Sequence, residues 1–89
     1  MMKPGWRTIS GFRSGLHFEA QQAWLTKQVD SGLASSEPVI RPYLDGAFRE
    51  TWYRDTKNRR WRLVFPDPPF GGFFERVKPT LTERLRGFS

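Results

Sequence analysis

Between Leu16 and Val29 apolar residues return every three or four positions. Two series interleave, Leu16, Ala20, Ala23 and Trp24, then Phe18, Leu25 and Val29, while Gln21, Gln22, Lys27 and Gln28 fill much of the remainder. That period matches 3.6 residues per turn and predicts a helix over 16–29. Ser14 suits its N-cap, and Gly32 suits a left-handed stop. Further along the period falls to two. Ala47–Arg54 and Arg59–Phe65 read as a strand pair joined through Asp55-Thr56-Lys57-Asn58. Placing Asp55 opposite Asn58 sets Trp52 against Trp61 and Phe48 against Phe65. One face then carries Phe48, Trp52, Trp61, Leu63 and Phe65, with Glu50 among them. The other carries Arg49, Thr51, Tyr53, Arg60, Arg62 and Val64. A one-residue slip would mix the two sets.

The flanking segments are shorter. Ala34-Ser35-Ser36-Glu37-Pro38 has turn chemistry. Val39–Leu44 carries Pro42, which a helix interior does not accept, so it reads as an edge strand leading to an Asp45-Gly46 hairpin turn. Pro66–Gly72 is an irregular loop, and Phe73–Val77 a fourth strand. Pro79-Thr80 opens a short helix, with Thr80 and Glu83 at capping-box spacing and Gly87 at its end. Residues 1–14 form a loosely structured arm, in which 6–10 is strand-like. The order predicts an α+β fold: one main helix on a small antiparallel sheet of three to four strands, hairpin 47–65 at its centre, and a short C-terminal helix. Residues 15–89 make a single domain.

Composition changes this picture in two ways. Of the 89 residues 37% are hydrophobic and 27% charged, values that a disordered chain also shows, but 16% are aromatic. Each ring buries about 150–250 Å², so a few of them replace many aliphatics in a small core. A chain this short hides only about 60–65% of its unfolded surface, so a partner or a homodimer is expected to add stability. There is no cysteine and one histidine. Disulfide scaffolds, thiolate or multi-histidine metal sites and cysteine nucleophiles are excluded, and no cofactor is expected. No apolar run approaches the roughly 18 residues of a membrane span, and the N-terminus has no leader-like apolar core. Lack of cysteine suits the cytoplasm or another reducing compartment.

The net charge is +6, and it is uneven. Residues 1–46 are nearly balanced. Residues 49–62 alone hold Arg49, Arg54, Lys57, Arg59, Arg60 and Arg62 against Glu50 and Asp55. Arginine greatly outnumbers lysine, which suits flat bidentate contacts with phosphate and stacking on rings. The expected function is therefore that of a small basic non-enzymatic binding protein. It contacts nucleic acid, DNA or RNA, through this hairpin, with Tyr53 free to stack. The alternative partner is an acidic protein surface, met by the same Arg and aromatic residues, as in a mobile-element or phage-type inhibitor or a small subunit of an assembly. Phe70-Gly71-Gly72-Phe73-Phe74 reads first as a turn that tucks its rings onto the sheet, and second as an exposed aromatic loop whose Phe70 and Phe73 enter a partner pocket or slip between bases.

Catalytic chemistry finds no assembly here. His17 and Glu19 lie two apart on a helix and point apart. Glu50 is the one acid on the expected aromatic face and is expected to pair with Arg41. No nucleophile elbow or phosphate-cradling glycine pattern occurs. Over residues 17–44, His17-Phe18-Glu19-Ala20, Gln28-Val29, Ser31-Gly32, Ser35-Ser36-Glu37 and Val39-Ile40-Arg41 are similar in order to ParD-type ribbon-helix-helix antitoxins. The chain departs from that pattern where Pro38 and Pro42 fall in the second helix. The resemblance implies a dimer that reads DNA with an N-terminal strand and blocks a toxin.

Overall fold

The computed structural model describes residues 3–79. Its one long helix, α1, spans Gly15–Asp30. The Ser14 hydroxyl accepts the His17 N–H at its start, and Gly32 takes φ +77° just past its end. Phe18, Gln21 and Leu25 are its buried residues, so of the two apolar series the one holding Phe18 and Leu25 faces the sheet, while Leu16 stays 78% exposed. Buried Gln21 donates its amide to the Gly5 carbonyl. Among the described residues no helix is long and apolar enough to cross a membrane.

The sheet has four antiparallel strands in chain order, β1 (Ala34–Glu37), β2 (Glu50–Asp55), β3 (Arg60–Val64) and β4 (Phe73–Arg76). With α1 packed on it, the fold is α+β, one helix on an antiparallel sheet. The predicted edge strand over 39–44 is not formed. Pairing falls instead to Ala34–Glu37, expected as a turn, whose residues sit opposite Asp55 to Trp52. Pro38 ends that strand, because it has no N–H to continue the ladder. Segment 38–49 then crosses the sheet, with a tight turn at Tyr43–Gly46 in which Leu44, Asp45 and Gly46 all have positive φ. The second helix that a ribbon-helix-helix antitoxin requires is therefore absent from residues 34–46, and the implied ParD fold is overturned. The short helix expected after Pro79 lies outside the described residues.

The register of the central hairpin differs by one residue from expectation. Tyr53, not Trp52, lies opposite Trp61, and Trp52 lies opposite Arg62. The reason is the turn. Asp55 N–H donates to the Arg59 carbonyl, so Asp55 pairs with Arg59 rather than Asn58. Asn58 takes φ +65°, the left-handed residue that a three-residue hairpin loop requires. Every side chain of β3 thereby changes partners, and Trp52 and Trp61 fall on opposite faces.

Both faces are covered as a result. On the helix side Phe18 and Leu25 meet Tyr53, Trp61, Leu63 and Phe74. The expected loose arm joins them. Ile9 exchanges both backbone hydrogen bonds with Phe74, Ile9 and Phe12 are buried, and Trp6 packs 5.1 Å from Trp24 and 5.8 Å from Trp61. The arm has no period to betray this, since its apolar residues fill a seam rather than line a regular face. On the other side Trp52, Val64 and Val77 are buried without helix cover. Gly72 joins the loop to β4 at φ +70°, where a Cβ would stand 2.6 Å from the Val64 carbonyl oxygen, so only glycine fits.

Candidate functional site

The turn between β2 and β3 and the C-terminal end of β4 lie at the same end of the sheet. Arg76 is opposite Trp61, and Val77 N–H donates to the Arg60 carbonyl at 2.9 Å. Arg54, Lys57, Arg59 and Arg60 from the hairpin are thereby joined by Arg76 and Lys78. Arg41 arrives from the crossing segment, with a guanidinium nitrogen 3.0 Å from the Lys78 carbonyl oxygen. Among the described acids, Asp55 lies in the turn, Glu37 is held by Arg54, and Glu75 precedes Arg76 on β4. Hairpin charge was visible in the sequence. Arg41, Arg76 and Lys78 are remote from it in the chain, and only the fold brings them in, Arg76 and Lys78 through strand pairing and Arg41 through the crossing segment.

Asp55 organises the turn. Its carboxylate accepts the N–H groups of Lys57 (2.9 Å) and Arg59 (3.0 Å), the Arg59 Nε–H (2.7 Å) and the Trp61 indole N–H (2.9 Å). Burial alone would push this carboxyl up. The backbone N–H of Arg59, the Trp61 indole, the Arg59 guanidinium and the N–H of Lys57 favour the charged form more, and hold it below the usual carboxylate range. An Asp that reaches two and four residues ahead is the signal that could have given the loop length.

The cations occupy both faces of this end. Arg59 lies on the helix side, its guanidinium carbon 5.7 Å from the Trp61 ring centre. Arg54 and Arg60 lie directly opposite one another on the other side. Arg54 holds Glu37 at 2.6 Å and the Asn58 side-chain oxygen at 2.7 Å. The Arg54 and Arg59 side chains remain 31% and 30% exposed in spite of these pairs, so their outer edges still face solvent. Lys57, at the tip, is exposed, as are Arg76 and Lys78.

Beneath them lies an arginine layer. The guanidinium carbons of Arg62, Arg60 and Arg41 stand 5.3, 5.8 and 6.0 Å from the Trp52 ring centre. Trp52 donates its indole N–H to Glu50 at 2.7 Å, and Glu50 also accepts the Tyr43 N–H at 2.6 Å. Arg62, with a side chain 12% exposed, is 3.6 Å from Glu50 and donates to the Arg41 carbonyl. The expected Glu50–Arg41 pair is thus replaced by Glu50–Arg62. Arg62 holds the interior together and offers little to a ligand.

Three more expected site residues move. Tyr53 is buried on the helix side, its hydroxyl accepting from Thr51 at 3.2 Å, so it is not a stacking platform. Arg49 is exposed at the opposite end of the sheet, 4.8 Å over the Phe65 ring. Phe70 and Phe73 are also at that opposite end. They form a half-buried cluster with Tyr43 and Phe48, with Phe48 and Phe70 stacked at 4.0 Å and Tyr43 edge-on to Phe73 at 4.8 Å. The hairpin residues therefore divide into a basic end, an interior layer and an aromatic end.

No protein-family model matches the chain, and neither a curated protein nor a solved structure shows significant similarity to it.

Proposed function

We propose that this is a small basic, non-enzymatic protein that docks onto nucleic acid through the basic end of its sheet. The observation that carries the reading is the convergence of Arg54, Lys57, Arg59, Arg60, Arg76 and Lys78 from three strand ends. Arginine forks suit phosphate oxygens. A reducing compartment such as the cytoplasm fits a chain without cysteine. The test is a mobility shift with DNA and RNA. Lys57→Glu with Arg76→Glu, both on exposed side chains, abolishes the shift. Roughly five phosphate contacts weaken binding several-hundredfold between about 50 and 200 mM salt. Absence of any complex near 50 mM salt refutes the reading.

A second reading rests on the opposite end. Leu44 is 62% exposed at φ +46°, beside the cluster of Tyr43, Phe48, Phe70 and Phe73, and Ile40 is 55% exposed. A bulky residue in the left-handed region is strained, and an exposed apolar one has no packing to offset it. This end suits a protein partner, as in an inhibitor or a small subunit of an assembly. Capture of one specific protein that survives nuclease and is lost with Leu44→Gly supports it; capture unchanged by that substitution does not.

A further inference from the structure

Resting on the nucleic-acid reading, we infer that the ligand is double-stranded, gripped by its phosphates, and that single strands are poor ligands. Two independent observations lead there. Proteins that hold single strands combine cations with exposed rings on which unpaired bases stack. On the strands that carry the basic end, the rings next to it are buried, Trp52 at 1%, Tyr53 at 8%, Trp61 at 3% and Phe74 at 0% exposure, and half-buried Phe73 stands at the far end of β4. The π-face of Trp52 is taken by the guanidinium groups of Arg41, Arg60 and Arg62, and that of Trp61 by Arg59, Trp6 and Phe74. Among the described residues, no ring of these strands is open to a base at this end, and the half-buried Trp6 and Trp24 on the helix side pack edge-on against each other. The half-buried rings Tyr43, Phe48, Phe70 and Phe73 lie at the other end and pack on one another, the first three stacked and Phe73 edge-on.

The second observation is the placement of charge. Arg59 and Arg76 flank the Trp61 side of the sheet, Arg54 and Arg60 the Trp52 side, and Lys57 stands at the tip between them. A single strand laid along either face meets only half of these groups. A duplex offers two lines of phosphate separated by a groove, and a sheet end charged on both flanks can meet both. Recognition of this kind reads the backbone and gives little base preference.

The experiment uses fluorescence anisotropy on the full chain with three labelled probes: a mixed-sequence DNA duplex of about 20 base pairs, an RNA duplex of the same length, and an oligothymidine of matching length. At one salt concentration, at least one duplex is expected to bind about tenfold or more tightly than the single strand, with a steep salt dependence. Lys57→Glu, on an exposed loop, weakens the duplex complex, and Trp fluorescence is not quenched on binding because no base reaches a ring. A single strand that binds as tightly as both duplexes, or quenches tryptophan, overturns the inference while leaving the nucleic-acid reading intact. Binding of none of the three near 50 mM salt overturns both.

Discussion

Trp52 and Trp61 belong to neighbouring strands and share one chemistry, yet they lie on opposite faces of the sheet under opposite covers. Each is buried, and each donates its indole N–H to a buried carboxylate, Glu50 for Trp52 and Asp55 for Trp61. Trp61 is covered mainly by carbon, with Phe74 stacked at 5.0 Å and Trp6 beside it. Trp52 is covered by arginine. Carbon cover contributes through area removed from water, roughly 25 cal/mol per Å². Guanidinium cover must first offset the desolvation of charge, so it adds less stability for the same burial. A small sheet can therefore close a second face with arginine stems and keep their cationic heads near the surface. Cover and candidate ligand surface are then the same residues.

The sharpest way to break this comparison is to remove each carboxylate. Asp55→Ala takes the acceptor from four donors and leaves Arg59 and the Trp61 N–H uncompensated, so urea unfolding should show a loss of about 3–4 kcal/mol. Because Asp55 titrates below its unfolded value, its contribution is fully present above about pH 4 and fades as pH falls. The gap between wild type and Asp55→Asn should narrow in acid. A gap that does not narrow would show that the carboxylate charge is not what stabilises the turn. Glu50→Gln keeps the size and an acceptor but leaves Arg62 without its counter-charge, and about 2–3 kcal/mol should be lost. Equal losses at Glu50 and Asp55 would make the two layers energetically alike.

Gly72→Ala should cost about 2–3 kcal/mol in thermal unfolding, since positive φ and the Val64 carbonyl both oppose a Cβ. Smaller effects separate cover from ligand surface. Arg60→Gln should change stability by less than about 1 kcal/mol while weakening polynucleotide binding. A large stability loss would instead make Arg60 part of the structure. Leu44→Gly should raise stability by about 0.5–1 kcal/mol, because glycine accepts the left-handed conformation that leucine resists.

Much of this molecule was legible before any coordinates. The helix over 15–30, its Ser14 cap and its Gly32 stop rest on local chemistry and a 3.6-residue period, both contained in a short stretch of chain. The strands β2 and β3 followed from alternation, and the basic hairpin from charge. What tertiary structure alone decided was the register, the covers and the gathering of charge. Alternation selects a register when one sheet face is dry and the other wet. Here both faces are covered, so an apolar pattern shifted by one residue remains satisfied, and the left-handed Asn58 settled the choice. Strand pairing carried Arg76 and Lys78 to the hairpin tip, and the crossing segment brought Arg41. Such meetings depend on contacts between residues far apart in the chain, which no local period records.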